Sequence, residues 1–287
     1  MKNQFVKYLF SAGLIMMFSG ICSNVLCQNT AGAVKIAYNY PADKPIRYLG
    51  TNVMTQIMDI QGQSMQVDVN SAFGCFVKSA GKQDNNLKIE IKVDTLGQTT
   101  NSPMGGSGGA IQDIKGKTFN IMISPEGKMV DNSGAAAFVY TLEGSGESNM
   151  SQTFSDFFPV LPSKAVATGD TWNSTDSLTT KSPAMIMTTI DNTINKLEGF
   201  ETVNGIECAK ISSQHSGSIS MKIQNQGNDL SIKGPFTGTS EFLFAVKEGY
   251  FIKMTSATKV NGNLEMTSPQ AMTFPIVLDM KSVNEMK

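Results

Sequence analysis

The chain has 287 residues, 23 basic and 24 acidic, and only 16% of its positions are charged. No basic block or stripe interrupts it, which excludes the electrostatic footprint of a nucleic-acid binder. A single histidine and four cysteines, with no metal-ligand spacing among them, leave little material for a zinc site or a histidine-based catalytic centre.

Residues 1–27 read as a signal peptide: Lys2 and Lys7, then an apolar stretch from Tyr8 to Ile21, then small and polar residues. The apolar stretch is shorter than the ~20 residues of a membrane-spanning helix, and no later segment rivals it, so no span is expected in the mature chain. Cleavage after Cys27 puts small residues near the cut and leaves Gln28 as the new N-terminus. Cys22 and Cys27 both fit a lipid-attachment box poorly, but lipidation and an uncut anchor stay open. The expectation is an exported protein, in the periplasm, at the outer membrane or outside the cell. Of the cysteines, Cys75 and Cys208 remain. They could pair in an oxidising compartment, a bridge worth roughly 4–5 kcal/mol in the loop-entropy picture. Alternatively, they pack as separate small hydrophobes.

Period-two alternation dominates the rest. The stretch Lys88–Asp94 alternates charged and aliphatic residues without a fault, the mark of a strand with one wet face. Comparable strands are readable at 33–40, 47–60, 65–78 and 118–123. They recur at 185–197, 208–213, 218–224, 239–246, 250–260 and 273–280. Turn chemistry separates them, including Asp84-Asn85-Asn86, Pro125-Glu126-Gly127, Asn204-Gly205 and Asn261-Gly262. MGGSGGA at 104–110 reads as a flexible loop. In the middle, Met150, Phe154, Phe157 and Phe158 share one helical face, and Pro159 ends the helix. The fold class is therefore mainly β with an α+β element order. The architecture is an antiparallel curved sheet, open barrel or sandwich, with one or two short central helices. A β-rich part at 28–144, a helix and connector at 145–163 and a second β-rich part at 164–287 follow, either as two subdomains or as one continuous domain.

Chemistry-bearing motifs are sparse. There is no G-x-S-x-G elbow, no H-E-x-x-H pair and no G-K-[ST] after the glycine-rich stretch. His215, in SSQHSGS, reads as a surface residue between two strands rather than a general base. Scattered Asp and Glu leave a carbohydrate-active enzyme with two converging carboxylates as a remote alternative. No catalytic, cofactor-binding or metal-ligating residue is assigned. Trp172 follows two prolines and a Gly169-Asp170 turn, and reads as an aromatic plug or as the edge of a lid. Methionines crowd the strands, among them Met54, Met58, Met187 and Met221. They fit core filler or, more sharply, a pliable apolar cavity.

FPVLPSKAVATGDTW at 158–172, VNGIECAKI at 203–211 and VKEGYFI at 246–252 follow a Tyr38-x-Tyr40 strand. In this order the chain resembles an uncharacterised family of exported β-rich proteins of Bacteroidota. Such families lack an assigned activity. Their strand-helix-strand order is similar to half-open barrels that carry lipids or lipoproteins. That resemblance implies a non-enzymatic envelope protein with a lipid or other apolar ligand in a curved sheet. Met150, Phe154, Phe157, Phe158 and Trp172 would line or cover the site. The alternative is a structural module that meets another envelope protein and takes no small ligand.

Overall fold

The computed structural model describes residues 32–60, 62–103, 105–111, 113–142, 146–183, 185–225, 228–266 and 271–287. The leader and its cleavage site at Cys27 and Gln28 lie outside them. The strands are β1 (Ile46–Ile60), β2 (Gln63–Gln83), β3 (Asn86–Ser102), β4 (Gly105–Ala110), β5 (Thr118–Ile123), β6 (Met129–Asp131), β7 (Val139–Leu142) and β8 (Gly146–Asn149). They continue with β9 (Thr171–Ser182), β10 (Met185–Val203), β11 (Ile206–Asn225), β12 (Asn228–Ala245), β13 (Tyr250–Met266) and β14 (Met272–Met286). Two short helices, α1 (Ser133–Ala137) and α2 (Ser151–Ser155), fall in the middle.

One antiparallel sheet takes twelve of these strands, in the order β6-β5-β3-β2-β1-β14-β13-β12-β11-β10-β9, with β4 on β3. It curls into a half-barrel. Both β-rich parts belong to it, because β1 pairs with β14 over eleven residue pairs from Tyr48–Met286 to Met58–Ile276. β7 and β8 form a separate small hairpin.

Alternation in sequence becomes alternation in burial. Along β9 every second residue is exposed, and those between, from Trp172 to Thr180, face the interior. The outer face carries ion pairs such as Lys78–Glu90 at 3.0 Å and Lys233–Glu265 at 3.2 Å. Exposed pairs of this kind contribute little to stability.

The interior face is filled at one end by aromatic side chains. Phe154, Phe157 and Phe158, in and just after α2, are at most 4% exposed. The Phe157 ring meets Tyr48 at 5.4 Å and Phe251 at 5.2 Å, both edge to face, the geometry that ring quadrupoles favour. The Tyr48 hydroxyl donates to Phe251 O at 2.7 Å and meets the Tyr40 hydroxyl at 3.1 Å, so its polar tip is satisfied. Gly50 makes room here: a Cβ would lie 2.1 Å from the Phe73 ring and 2.5 Å from Asn284 Oδ1.

Three sequence expectations change. Residues 33–40 alternate as a strand does, burying Ile36, Tyr38 and Tyr40, yet they form no ladder beyond the single bridge Val34–Val166. The segment is an extended strap. It bonds to Val166, Pro125 and Gly249, backbone groups from three separate loops. Asn261-Gly262 is not a turn but part of β13. A Cβ on Gly262 would meet Lys233 O at 2.4 Å and Gly234 Cα at 3.2 Å, so glycine serves close strand approach there. Residues 105–110, read as a loop, form β4.

Candidate functional site

Opposed residues of antiparallel strands share a face, so register can be followed across the interior as rows. One row is polar in every strand from β10 across to β3. Asn195 lies opposite Ser213, Ser213 opposite Ser240, Ser240 opposite Ser256 and Ser256 opposite Ser282. The row continues through Asn52, Ser71 and Gln98. Its members bond to each other: Ser213 Oγ donates to Asn195 Oδ1 at 2.7 Å, and the Ser256 and Ser282 hydroxyls meet at 2.8 Å.

On one side of this row lies the aromatic end. On the other the interior turns aliphatic and methionine-rich. Met58, Met187, Ile219, Ile232, Phe236, Val260, Ile276 and Leu278 form a second core, with Met65, Met221 and Met280 half-buried against it. The interior face is thus layered along the strand axis into aromatic, polar and methionine zones.

The polar zone holds the titratable groups. His215 sits in mid-β11, opposite Thr193 on β10 and Gly238 on β12. Its Nδ1 is 2.8 Å from Asp191 Oδ2, and its Nε2 is 2.9 Å from Ser240 Oγ. A carboxylate only accepts, so Nδ1 carries the proton and Nε2 presents its lone pair to the Ser240 hydroxyl. Thr193 Oγ1 also donates to Asp191 Oδ2, at 3.1 Å. Asp191 Oδ1 is buried without a hydrogen-bond partner. Asp176 on β9 lies opposite Asp191 and pairs with Lys128 at 3.2 Å. Asp156, just beyond α2, keeps solvent access. Surrounding protein and the Asp191 carboxylate nevertheless push its pKa above the usual aspartate value, with His215 working the other way.

With Asp176 offset by Lys128, the Asp191 and Asp156 carboxylates near one imidazole favour a neutral or cationic group and disfavour phosphate. Two surface grooves lie elsewhere. One of about 580 Å³ is lined by residues including Val53, Thr55, Lys259 and Asp279, and one of about 400 Å³ by residues including Ala110, Ile114 and Tyr140. Neither lining includes Asp191, His215 or Ser240.

The residues expected from sequence to line or cover a ligand are placed differently. Met150, Phe154, Phe157 and Phe158 are core side chains; they fill the aromatic end rather than enclose a space there. Trp172 packs against the same core at the sheet edge, and its Nε1 is buried without a partner. Cys75 and Cys208 are free, buried thiols in separate apolar clusters and do not bridge. Burial pushes the Cys208 thiol up to about 11 and the Cys75 thiol further still. His215 is not a surface residue between strands but an interior residue within one. The signal was its parity: Ile211, Ser213, His215, Gly217 and Ile219 are spaced by two, which places the histidine on the face of the two isoleucines. The partnership with Asp191 and Ser240 depends on cross-strand register, which one strand's pattern does not encode.

Among the described residues no helix is long and apolar enough to cross a membrane. No protein-family model and no curated protein sequence matches the chain. Among solved structures it is similar to DynF from the dynemicin biosynthesis pathway of Micromonospora chersina. The TM-score is 0.24 and the identity 8%, over 88% of this chain and 86% of that one. It is also similar to OccK2 (OpdF) of Pseudomonas aeruginosa, with TM-score 0.23 and 7% identity, over 86% of this chain and 99% of that one. Likeness this weak carries no argument.

Proposed function

We propose that this chain is an exported envelope protein that binds an amphipathic ligand along the interior face of its half-barrel. The apolar part of the ligand lies on the methionine zone, and its neutral or cationic head meets the serine row and the Asp156–Asp176–Asp191 carboxylates. The observation that carries this reading is the layering itself, a row of hydroxyls and carboxamides bordering an adaptable, half-buried methionine surface. Methionine suits variable acyl or alkyl chains because it is flexible and polarisable. The aromatic plug closes the opposite end and gives the ligand one direction of entry.

The test is fluorescence titration with a pyrene-labelled monoalkylglycerol ether, which is neutral and cannot be hydrolysed, against the same chain ending in a carboxylate. The neutral probe binds more tightly, and Met221→Glu abolishes binding because it puts a charge on the apolar zone. Failure of both probes to bind, or binding indifferent to Met221→Glu, would overturn the reading.

A further inference from the structure

We propose that Ser240 is a nucleophile that opens an ester of the bound ligand, with His215 as its base and Asp191 as the positioning residue. This rests on the amphipathic-ligand reading above and adds chemistry to it. The hydroxyl of Ser240 lies 2.9 Å from His215 Nε2, and the opposite ring nitrogen is held at 2.8 Å by Asp191. A serine, an imidazole in a fixed tautomer and a carboxylate behind it form the arrangement that moves a proton off a hydroxyl as it attacks a carbonyl. It is recognised by geometry rather than by chain order, which here runs Asp191, His215, Ser240.

Local structure supports the role. β10, β11 and β12 are each hydrogen-bonded on both sides, so the three side chains stand on a rigid ladder rather than on loops. Gly238 lies opposite His215 and Gly217 opposite Asp191; a Cβ there would meet Ala257 O and Ile190 O respectively, so both glycines let the neighbouring strands approach closely. Thr193 clamps the same carboxylate oxygen that His215 uses. Ser240 is half-buried in the polar row, with the methionine zone beginning two rows further on. Opposite it on β13, Ser256 shares a 2.8 Å hydrogen bond with Ser282 of β14. With Ser282 as the donor of that bond, the Ser256 hydroxyl proton is left to meet the carbonyl oxygen as it gains charge.

The steps balance with one water as the only co-reactant. Ser240 Oγ bonds to the ester carbonyl carbon while its proton passes to His215 Nε2. The bond from that carbon to the alcohol oxygen breaks, and the imidazolium gives its proton to the leaving oxygen. Water then attacks the acyl-serine, His215 takes its proton and returns it to Ser240 Oγ, and a carboxylic acid leaves. The product ionises beside Asp156 and Asp191, whose charges repel it from the trough.

The experiment treats the full mature chain with a long-chain alkyl fluorophosphonate, maps the adduct by peptide mass spectrometry, and follows p-nitrophenyl decanoate hydrolysis. One phosphonyl group on Ser240 is expected, lost in Ser240→Ala and slowed about 10²-fold or more in His215→Gln. Ser240→Cys restores acyl transfer, and Asp191→Asn changes the pH profile, which a merely structural network would not do. Labelling spread over Ser213, Ser240 and Ser256, or labelling indifferent to His215→Gln, would overturn the proposal. Binding of the pyrene ether is measured alongside. Intact binding with no labelling removes the nucleophile and spares the binding reading; loss of both in the wild-type chain removes both.

Discussion

The two ends of the interior face are built from different physics. At the aromatic end, rings from α2, from the strap at residues 34–40 and from the sheet lock edge to face. Their polar tips are tied to carbonyls, as Tyr38 is to Pro159 O at 2.8 Å. At the methionine end the side chains are flexible thioethers and aliphatics, several only half-buried. Tight interlocking gives stability and a single arrangement, whereas unbranched side chains tolerate rearrangement. One end therefore holds the half-barrel together, and the other is left adaptable.

Mutation can break that contrast. Phe157→Ala removes a ring touching Tyr48, Phe154, Phe158 and Phe251, and its cost is expected at about 3–5 kcal/mol in urea unfolding. A loss below ~1.5 kcal/mol would mean the aromatic end is no tighter than the other. Tyr48→Phe keeps the ring but strips the donor to Phe251 O. A buried acceptor left unpaired costs about 1–3 kcal/mol, read from the same unfolding curves. Met187→Leu or Met221→Leu should each cost less than ~1.5 kcal/mol while narrowing the range of chain lengths the pyrene ethers bind.

Smaller effects test the polar zone between the ends. Asp156 titrates above the usual aspartate value in the folded chain, so folding favours its protonated form. That contribution is complete below the unfolded value of about 3.9 and is lost as pH rises through the higher folded value. Asp156→Asn should therefore raise the melting temperature at neutral pH, with the gain fading as pH falls below about 4. Thermal scans from acid to neutral pH would show whether the two variants converge there. Last, Cys75 and Cys208 should resist thiol reagents in the native protein and react together on unfolding, since both thiols are buried and their pKa values raised.

Much of the sheet was legible because alternation reports directly on a half-buried strand. β5 was read at its observed bounds, and Asn204-Gly205 does turn, with positive φ at both residues. What alternation reports, however, is one buried side, and it says nothing about partners. Residues 33–40 show the limit, since the strap buries every second residue without joining the sheet. Residues 150–158 show another: the spacing found four buried side chains, but α2 spans only Ser151–Ser155, so Phe157 and Phe158 lie beyond the helix, and the phenylalanines fill the core. The candidate site was the least legible part. Asp191, His215 and Ser240 stand on three strands and meet only through register, which bulges such as the one between Leu197 and Gly199 reset along the way.

The pairing of β1 with β14 bears on how the protein is made. Each arm of the sheet is a run of hairpins between sequence neighbours, so either can form as its own residues emerge. The seam between them joins residues more than two hundred positions apart, down to Lys287 N bonding Arg47 O at 2.9 Å. Closing so long a loop is slow relative to hairpin formation. Until the last strand is synthesised, β1 has an open edge and the aromatic plug lacks part of its wall. The half-barrel thus stays unfinished until β14 is made, because β14 is the strand that joins its two arms.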